Sequence, residues 1–142
     1  MKTLLTNAKV IDPVTETISD GEIMFEDGII ISREKEDKTI DCQGLYLCPG
    51  LIDLGVKVGE PGERHKESFK SASMAAASGG VTSIVTFPNT IPVIDNPELL
   101  EFFMKRARES SKVRILPTAA ITKKVEGKEI SELSFLQDAG AI

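Results

Sequence analysis

The sequence predicts an α/β fold in which parallel β–α–β units follow an all-β opening, and three observations support this prediction. Short alternating segments separated by turn residues fill residues 1–48. From residue 49 onward, apolar runs rich in β-branched residues alternate with segments of helical periodicity. These elements follow in the order β-α-β-α-β-α, which is typical of a parallel sheet covered by helices. Two parts are therefore predicted, residues 1–48 and residues 49–142.

The opening part is predicted to consist of short strands joined by tight turns. Residues 22–26 alternate apolar and polar side chains, the pair Asp27-Gly28 follows, and an apolar run resumes at 29–31. An Asp-Gly pair between two such runs is typical of a hairpin, because glycine adopts a positive φ at little cost. Two more short strands are expected between residues 39 and 47.

The second part is predicted to contain three strands, each followed by a helix. The strands are expected at residues 51–58, 81–87 and 113–116. The first helix is expected from about residue 66 to residue 78, where Gly79-Gly80 ends it. Three such units are too few for a closed barrel, which takes eight units and about 250 residues.

The other two helices have recognisable starts. Asn96 is a favourable cap, Pro97 suits the first helical position, and Glu98 complements the positive end of the helix dipole. For the last helix, Ser131 is the expected cap and Gly140 the expected end.

The composition excludes several classes of function. The 142 residues carry a formal net charge of −5, which gives no basic surface for nucleic acid or an anionic membrane. No apolar run approaches the roughly 18 residues that a membrane helix needs. The N-terminus also lacks the apolar segment of a signal peptide, so a cytoplasmic protein is predicted. Cys42 and Cys48 are expected to be reduced packing residues, because their number and spacing suit neither a disulfide framework nor a metal pair.

Four short motifs follow one another in the second part. They are Pro49-Gly50-Leu51-Ile52-Asp53, Glu60-Pro61-Gly62, Lys66-Glu67, and Pro88-Asn89-Thr90 with Pro92. Together they resemble the dihydroorotases of the amidohydrolase superfamily, and the run from Pro88 to Glu98 favours dihydroorotase over its hydantoinase and allantoinase relatives. The resemblance covers residues 1–142, the first third of a typical member. It implies the first three βα units of an amidohydrolase-type TIM barrel, preceded by strands of a small β-sandwich.

The chain departs from the family pattern at its first barrel strand. That pattern is Asp-x-His-x-His-x-Arg-x-Pro-Gly, in which the histidines bind zinc and the arginine holds the substrate carboxylate. Here Gly55 and Lys57 replace the histidines, and Gly59 replaces the arginine. Glycine offers no ligand atom, and a lysine ammonium repels a dication. No catalytic residue, metal ligand or cofactor is therefore predicted in this chain, although active members of the family use zinc.

The remaining candidate residues have weaker signals. Alternate strand residues share a face, so Asp53, Gly55 and Lys57 are expected to point the same way. If carboxylates of later strands also point inward, the Lys57 ammonium is expected to replace the positive charge of the absent metal. Asp53 is interpreted either as a structural carboxylate or as a retained site residue. Asn89 corresponds to the family's second carboxylate-binding residue, with a turn cap as the alternative. His65, the only histidine, is expected to be solvated in a loop.

Three interpretations of function remain open. The first is a non-catalytic dihydroorotase-like protein of de novo pyrimidine (UMP) biosynthesis, with a structural role beside aspartate carbamoyltransferase in a homo- or hetero-oligomer. The second is an active zinc-dependent cyclic amidohydrolase that converts dihydroorotate to carbamoyl aspartate with ligands beyond residue 142. The third is a fragment without a function of its own, in which exposed strand edges favour aggregation.

Overall fold

The computed structural model describes residues 1–142 and divides them into two compact units. We call Met1–Pro49 the N-terminal unit and Gly50–Ile142 the C-terminal unit. None of the helices combines the length and the apolar character required to cross a membrane.

The N-terminal unit is a single five-stranded sheet. Its strands are β1 (Thr3–Asp12), β2 (Thr17–Glu26), β3 (Ile29–Ile31), β4 (Lys38–Asp41) and β5 (Tyr46–Leu47). The order is β3-β2-β1-β4, and β5 also pairs with β1. β2 runs antiparallel to β1, whereas β4 and β5 run parallel to it. Leu4, Ala8 and Met24 are the buried apolar residues of this unit.

The predicted hairpin between β2 and β3 is confirmed. Glu26 pairs with Ile29, so Asp27 and Gly28 form a two-residue turn with φ values of 49° and 81°. Two positive φ values are what such a turn requires. The strands before it are longer than expected, because the β1–β2 ladder continues past a register shift between Leu5 and Ala8.

The C-terminal unit is an open three-stranded parallel sheet with helices. Its elements are β6 (Leu51–Val56), α1 (Phe69–Ser78), β7 (Val81–Thr86), α2 (Pro97–Ser110), β8 (Arg114–Pro117), a short 3₁₀ helix (Lys123–Val125) and α3 (Leu133–Asp138). The strand order β6-β7-β8 with parallel pairing agrees with the predicted alternation of strands and helices.

The core of the C-terminal unit lies between the sheet and its helices. Ile84 of β7 belongs to one buried cluster with Phe69 of α1 and Leu100 and Phe103 of α2. The rings of Phe69 and Phe103 meet edge to face, with centroids 4.7 Å apart and an interplanar angle of 88°. This packing fixes α1 and α2 against the strands whose ends carry the candidate site.

Helix α1 begins at Phe69, three residues later than expected, because Ser68 caps it. The Ser68 hydroxyl accepts a hydrogen bond from the Ser71 amide at 3.1 Å, and the Ser71 hydroxyl accepts one from the Ser68 amide at 2.9 Å. This reciprocal pair is a capping box in which serine replaces the usual glutamate. The predicted end at Ser78 is confirmed.

One helix start is confirmed and another is wrong. The Asn96 side chain accepts a hydrogen bond from the Leu99 amide at 2.9 Å, and Pro97 opens α2 as predicted. Helix α3, in contrast, is preceded by Glu132 rather than capped by Ser131, and it ends at Asp138. Ser131 is instead held by its backbone, since its amide donates to the carbonyl of Ile121 at 2.9 Å.

Candidate functional site

The end of β6 contains a bulge at Gly55. Leu54 pairs with Val85 and Val56 with Thr86, so Gly55 is an additional residue, and its φ is 90°. A bulge shifts the alternation of side chains beyond it. The expectation that positions 53, 55 and 57 share one face is therefore wrong, and the regular strand ends before Lys57.

Asp53 lies on the side of the sheet that faces the helices. It pairs with Ile84, which is buried in the core between sheet and helices. With Ala72 and Ala76 of α1, Asp53 lines a hollow of about 290 Å³. Its carboxylate remains exposed there, so Asp53 is directed towards α1 and not towards the opposite face of the sheet.

Position 55 has no ligand atom, and the space beside it is occupied by an aromatic ring. A Cβ atom built on Gly55 would lie 2.8 Å from the Cζ atom of Phe87, which follows β7. The positive φ of Gly55 would strain any other residue as well. The ring of Phe87 thus covers the position at which the family pattern has its first histidine.

Lys57 forms an ion pair with Glu63 of the loop that follows β6. Its Nζ atom lies 3.8 Å from Oε2 of Glu63, and Lys66 pairs with the other oxygen of the same carboxylate. The side chain of Lys57 is 58% exposed. The ammonium at the second histidine position is therefore engaged by a loop carboxylate, and its expected role opposite later strands stays a prediction.

We expect Glu63→Gln to remove a pH-dependent part of the stability of the C-terminal unit. A hydrogen bond from Lys66, assisted by the charges of Lys66, Lys57 and His65, holds the pKa of the Glu63 carboxyl below its ordinary value of 4.5. A lowered folded-state pKa stabilises the protein above the unfolded-state value, and this contribution disappears as the pH falls through the folded-state value. The difference between the urea midpoints of the two proteins should therefore be present at neutral pH and shrink as the pH is lowered below 4.5. A difference that does not change with pH would contradict this.

The backbone closes around Gly59, at the position of the family's arginine. A Cβ atom there would lie 2.5 Å from the carbonyl oxygen of Glu63 and 2.8 Å from that of Glu67. The Glu63 amide also donates to the Gly59 carbonyl at 2.6 Å. Main-chain atoms of the loop therefore occupy the space that the Cβ atom of a larger residue at position 59 would need.

Glu60, which the sequence presented only as part of a motif, is the most connected side chain of this loop. Its side chain is 9% exposed, and Oε2 accepts a hydrogen bond from the Phe69 amide at 3.2 Å. Oε1 accepts one from Nη2 of Arg106 at 3.1 Å, and the Arg64 guanidinium lies 3.7 Å from Oε2. A buried carboxylate at a helix N-terminus is favourable because it complements the helix dipole and a free amide. Glu60 thus ties the loop to both α1 and α2.

The other two candidates are exposed. Asn89 follows β7 in an irregular segment, and the hydrogen bond that closes this segment comes from the Thr90 hydroxyl to the Pro92 carbonyl, at 2.7 Å. His65 lies in the loop before α1 and is exposed to solvent. Neither side chain forms a hydrogen bond or an ion pair with Gly55 or Lys57, although the charge of His65 acts on Glu63, the partner of Lys57.

The residues at this strand end do not fit the zinc of the active family. Zinc sites in proteins require several imidazole, thiolate or carboxylate ligands that converge on one point. No group of three or more histidine, cysteine, aspartate or glutamate side chains in residues 1–142 has that arrangement. At the ligand positions themselves, a phenyl ring covers Gly55 and a carboxylate engages Lys57.

The fold defines an α/β protein whose parallel βαβ units resemble those of a solved hydantoinase structure. The L-hydantoinase (dihydropyrimidinase) of Arthrobacter aurescens superposes on 98% of this chain with a TM-score of 0.85, at 22% sequence identity and over 31% of its own length. At this identity the likeness concerns the fold. The chain belongs to the Dihydro-orotase-like family, whose sequence profile matches residues 44–142.

Individual relatives support the same assignment. A dihydroorotase of Syntrophus aciditrophicus is 40% identical over 149 aligned positions, which cover the whole of this chain and 35% of that protein. A dihydroorotase-like protein of Pseudomonas aeruginosa is 37% identical over 144 positions, covering 97% of this chain and 34% of that protein. The chain thus spans about a third of the length of the relatives that it matches.

Proposed function

We propose that this chain forms the N-terminal portion of a non-catalytic dihydroorotase-like protein of pyrimidine (UMP) biosynthesis, with a structural role beside aspartate carbamoyltransferase. In this proposal β6, β7 and β8 with their helices correspond to the first three βα units of an amidohydrolase-type TIM barrel. The N-terminal unit corresponds to part of the small β-sandwich. One observation carries the proposal: Gly55, Lys57 and Gly59 occupy the positions of two zinc ligands and a carboxylate-binding arginine.

The pattern of loss argues against a change of chemistry. A different metal would not require the loss of the substrate-binding arginine, and a different substrate would not require the loss of the histidines. Both groups are replaced on one strand end, while the sheet and its buried core are retained. Asn89, the residue that matches the second carboxylate-binding position, cannot by itself replace the bidentate hydrogen bonds of a guanidinium to a carboxylate. Retention of the scaffold without the binding groups supports a structural role.

A structural role requires a partner, and the resemblance supplies the candidate. The resemblance to non-catalytic dihydroorotase-like proteins implies a place beside aspartate carbamoyltransferase, so we propose a hetero-oligomer with that enzyme. The proposed assembly uses the retained fold and needs no zinc ligand or substrate-binding group at Gly55, Lys57 or Gly59.

The test combines turnover, metal content and assembly. We expect the purified native protein to leave dihydroorotate unhydrolysed with and without added zinc, and to contain no stoichiometric zinc by elemental analysis. We also expect it to co-elute with aspartate carbamoyltransferase on size-exclusion chromatography. Measurable hydrolysis that depends on bound zinc would contradict the proposal, whereas an inactive protein that fails to co-elute would contradict only the partner.

The alternative function, an active cyclic amidohydrolase, has one observation in its favour. The segment Pro88–Glu98, with its candidate Asn89, is retained. In that case zinc would have to be held entirely by residues outside β6 and its loop. The same elemental analysis distinguishes the alternatives, because only the active enzyme is expected to contain stoichiometric zinc. Lys57→His provides a control, since one added imidazole at this strand end is not expected to create a zinc site.

A further inference from the structure

Gly55, Lys57 and Gly59, which replace the family's two histidines and its arginine, are obstructed to different degrees. At position 55 the obstacle is the tip of the Phe87 ring, whose residue is 49% exposed and has room to rotate away. At position 57 the obstacle is an ion pair in solvent. At position 59 the obstacle is main chain, because the carbonyl oxygens of Glu63 and Glu67 lie within 2.8 Å of a Cβ atom. Only the last obstruction requires the backbone itself to move.

We infer that the loop from Gly59 to Glu67 is closed in a conformation that only glycine at position 59 permits. At this position the family pattern has the arginine that binds a substrate carboxylate. In this chain the space is filled by main-chain atoms, so replacing Gly59 by arginine would not by itself recreate the carboxylate-binding site. The functional consequence rests on the proposed function, whereas the closed loop itself can be tested without measuring turnover.

Hydrogen bonds within the loop support this inference. The Glu63 amide donates to the Gly59 carbonyl at 2.6 Å, and the Lys66 amide donates to the Glu63 carbonyl at 2.8 Å. The same Glu63 carbonyl oxygen is the atom closest to a Cβ at position 59. A side chain at position 59 would therefore push on an oxygen that already holds the next turn of the loop.

The closed loop also has a structural task. Glu60 follows Gly59 directly, and its carboxylate binds the first amide of α1 and the Arg106 guanidinium of α2. Displacement of Gly59 would move Glu60 relative to both partners. The need for glycine at position 59 is thus coupled to the attachment of α1 and α2, which explains why a small change there is expected to have a large effect.

The test compares two glycine-to-alanine variants of the full chain. Gly59→Ala adds one methyl group against two carbonyl oxygens. Gly79→Ala adds the same group at a φ of −90°, where the nearest atom lies at 3.6 Å. We expect Gly59→Ala to lower the Tm by about 5 °C or more, since overpacking against fixed atoms is destabilising, and Gly79→Ala to leave it within about 2 °C. Equal Tm values for both variants would overturn the inference.

A second measurement does not depend on whether a variant folds. In the unchanged protein, amide hydrogen exchange should be slow at Glu63 and Lys66, whose amides are bonded within the loop, and fast at the neighbouring Arg64 and His65. Equally fast exchange at all four amides would show an open loop and overturn the inference. Hydrolysis of dihydroorotate by the native protein would instead contradict the proposed function, and leave these two results unaffected.

Discussion

Replacing Phe103 by alanine is expected to lower the free energy of unfolding of the C-terminal unit by about 3–5 kcal/mol. Phe103 is fully buried, and its ring meets that of Phe69 edge to face at 4.7 Å. The substitution removes the apolar surface of the ring and leaves a cavity between α1, α2 and the sheet. Because the surrounding Leu100 and Ile84 side chains are themselves fixed by the core, only part of this cavity can collapse.

Phe102 provides the matched control for this variant. It is the preceding residue of α2, and it is 51% exposed. Phe102→Ala makes the same chemical change on the solvent side of the same helix, so we expect an effect of less than about 1 kcal/mol. Urea denaturation followed by far-ultraviolet circular dichroism measures both, since the chain has no tryptophan. Similar losses for the two variants would show that the ring of Phe103 does not hold this core together.

The sequence was informative where structure depends on neighbouring residues. The hairpin at Asp27-Gly28 and the start of α2 at Asn96-Pro97 are encoded by adjacent residues whose conformational preferences act locally. The alternation of parallel strands and helices followed in the same way from apolar runs and helical periodicity. These features required no knowledge of which elements pack together.

Local signals failed where distant parts of the chain decide the structure. Ser131 is a good cap by type, yet its backbone is fixed by Ile121, ten residues earlier. The bulge at Gly55 depends on how β6 pairs with β7, and it changes which side chains share a face. A period-two pattern cannot reveal an inserted residue, so the common orientation predicted for Asp53, Gly55 and Lys57 was wrong.

The sequence predicts which metal-binding and substrate-binding groups are absent from the candidate site. It does not predict which parts of the chain lie in the space that those groups would occupy. The absent histidines and arginine follow directly from the family pattern at Gly55, Lys57 and Gly59. The contacts that fill these positions involve Phe87 and the carbonyls of Glu63 and Glu67, which only the folded chain brings close. The sequence therefore predicts which groups of the family pattern are absent from this strand end, but not the contacts that surround the residues in their place.

The second large effect is expected for Glu60→Gln, which should lower the free energy of unfolding of the C-terminal unit by about 2–3 kcal/mol. The carboxylate is nearly buried and serves the Phe69 amide and the Arg106 guanidinium, nine and 46 residues away along the chain. Glutamine keeps the shape of the side chain but removes the charge. Arg106 is 31% exposed and also reaches Glu109, so part of its charge is still compensated; the loss should stay below that of a fully buried pair.

A control and a double-mutant cycle identify the source of this loss. Glu101→Gln removes a carboxylate from the exposed side of α2, and we expect a change of less than about 0.5 kcal/mol in urea denaturation. If the Arg106 pair carries much of the effect, Glu60→Gln should be less costly in an Arg106→Met background, because no guanidinium is then left unpaired. The remaining cost would measure the bond to the Phe69 amide, the charge at the start of α1 and the contact with the Arg64 guanidinium. An undiminished cost in the Arg106→Met background would show that the Arg106 pair contributes nothing to the effect, and it would exclude the proposed tie to α2.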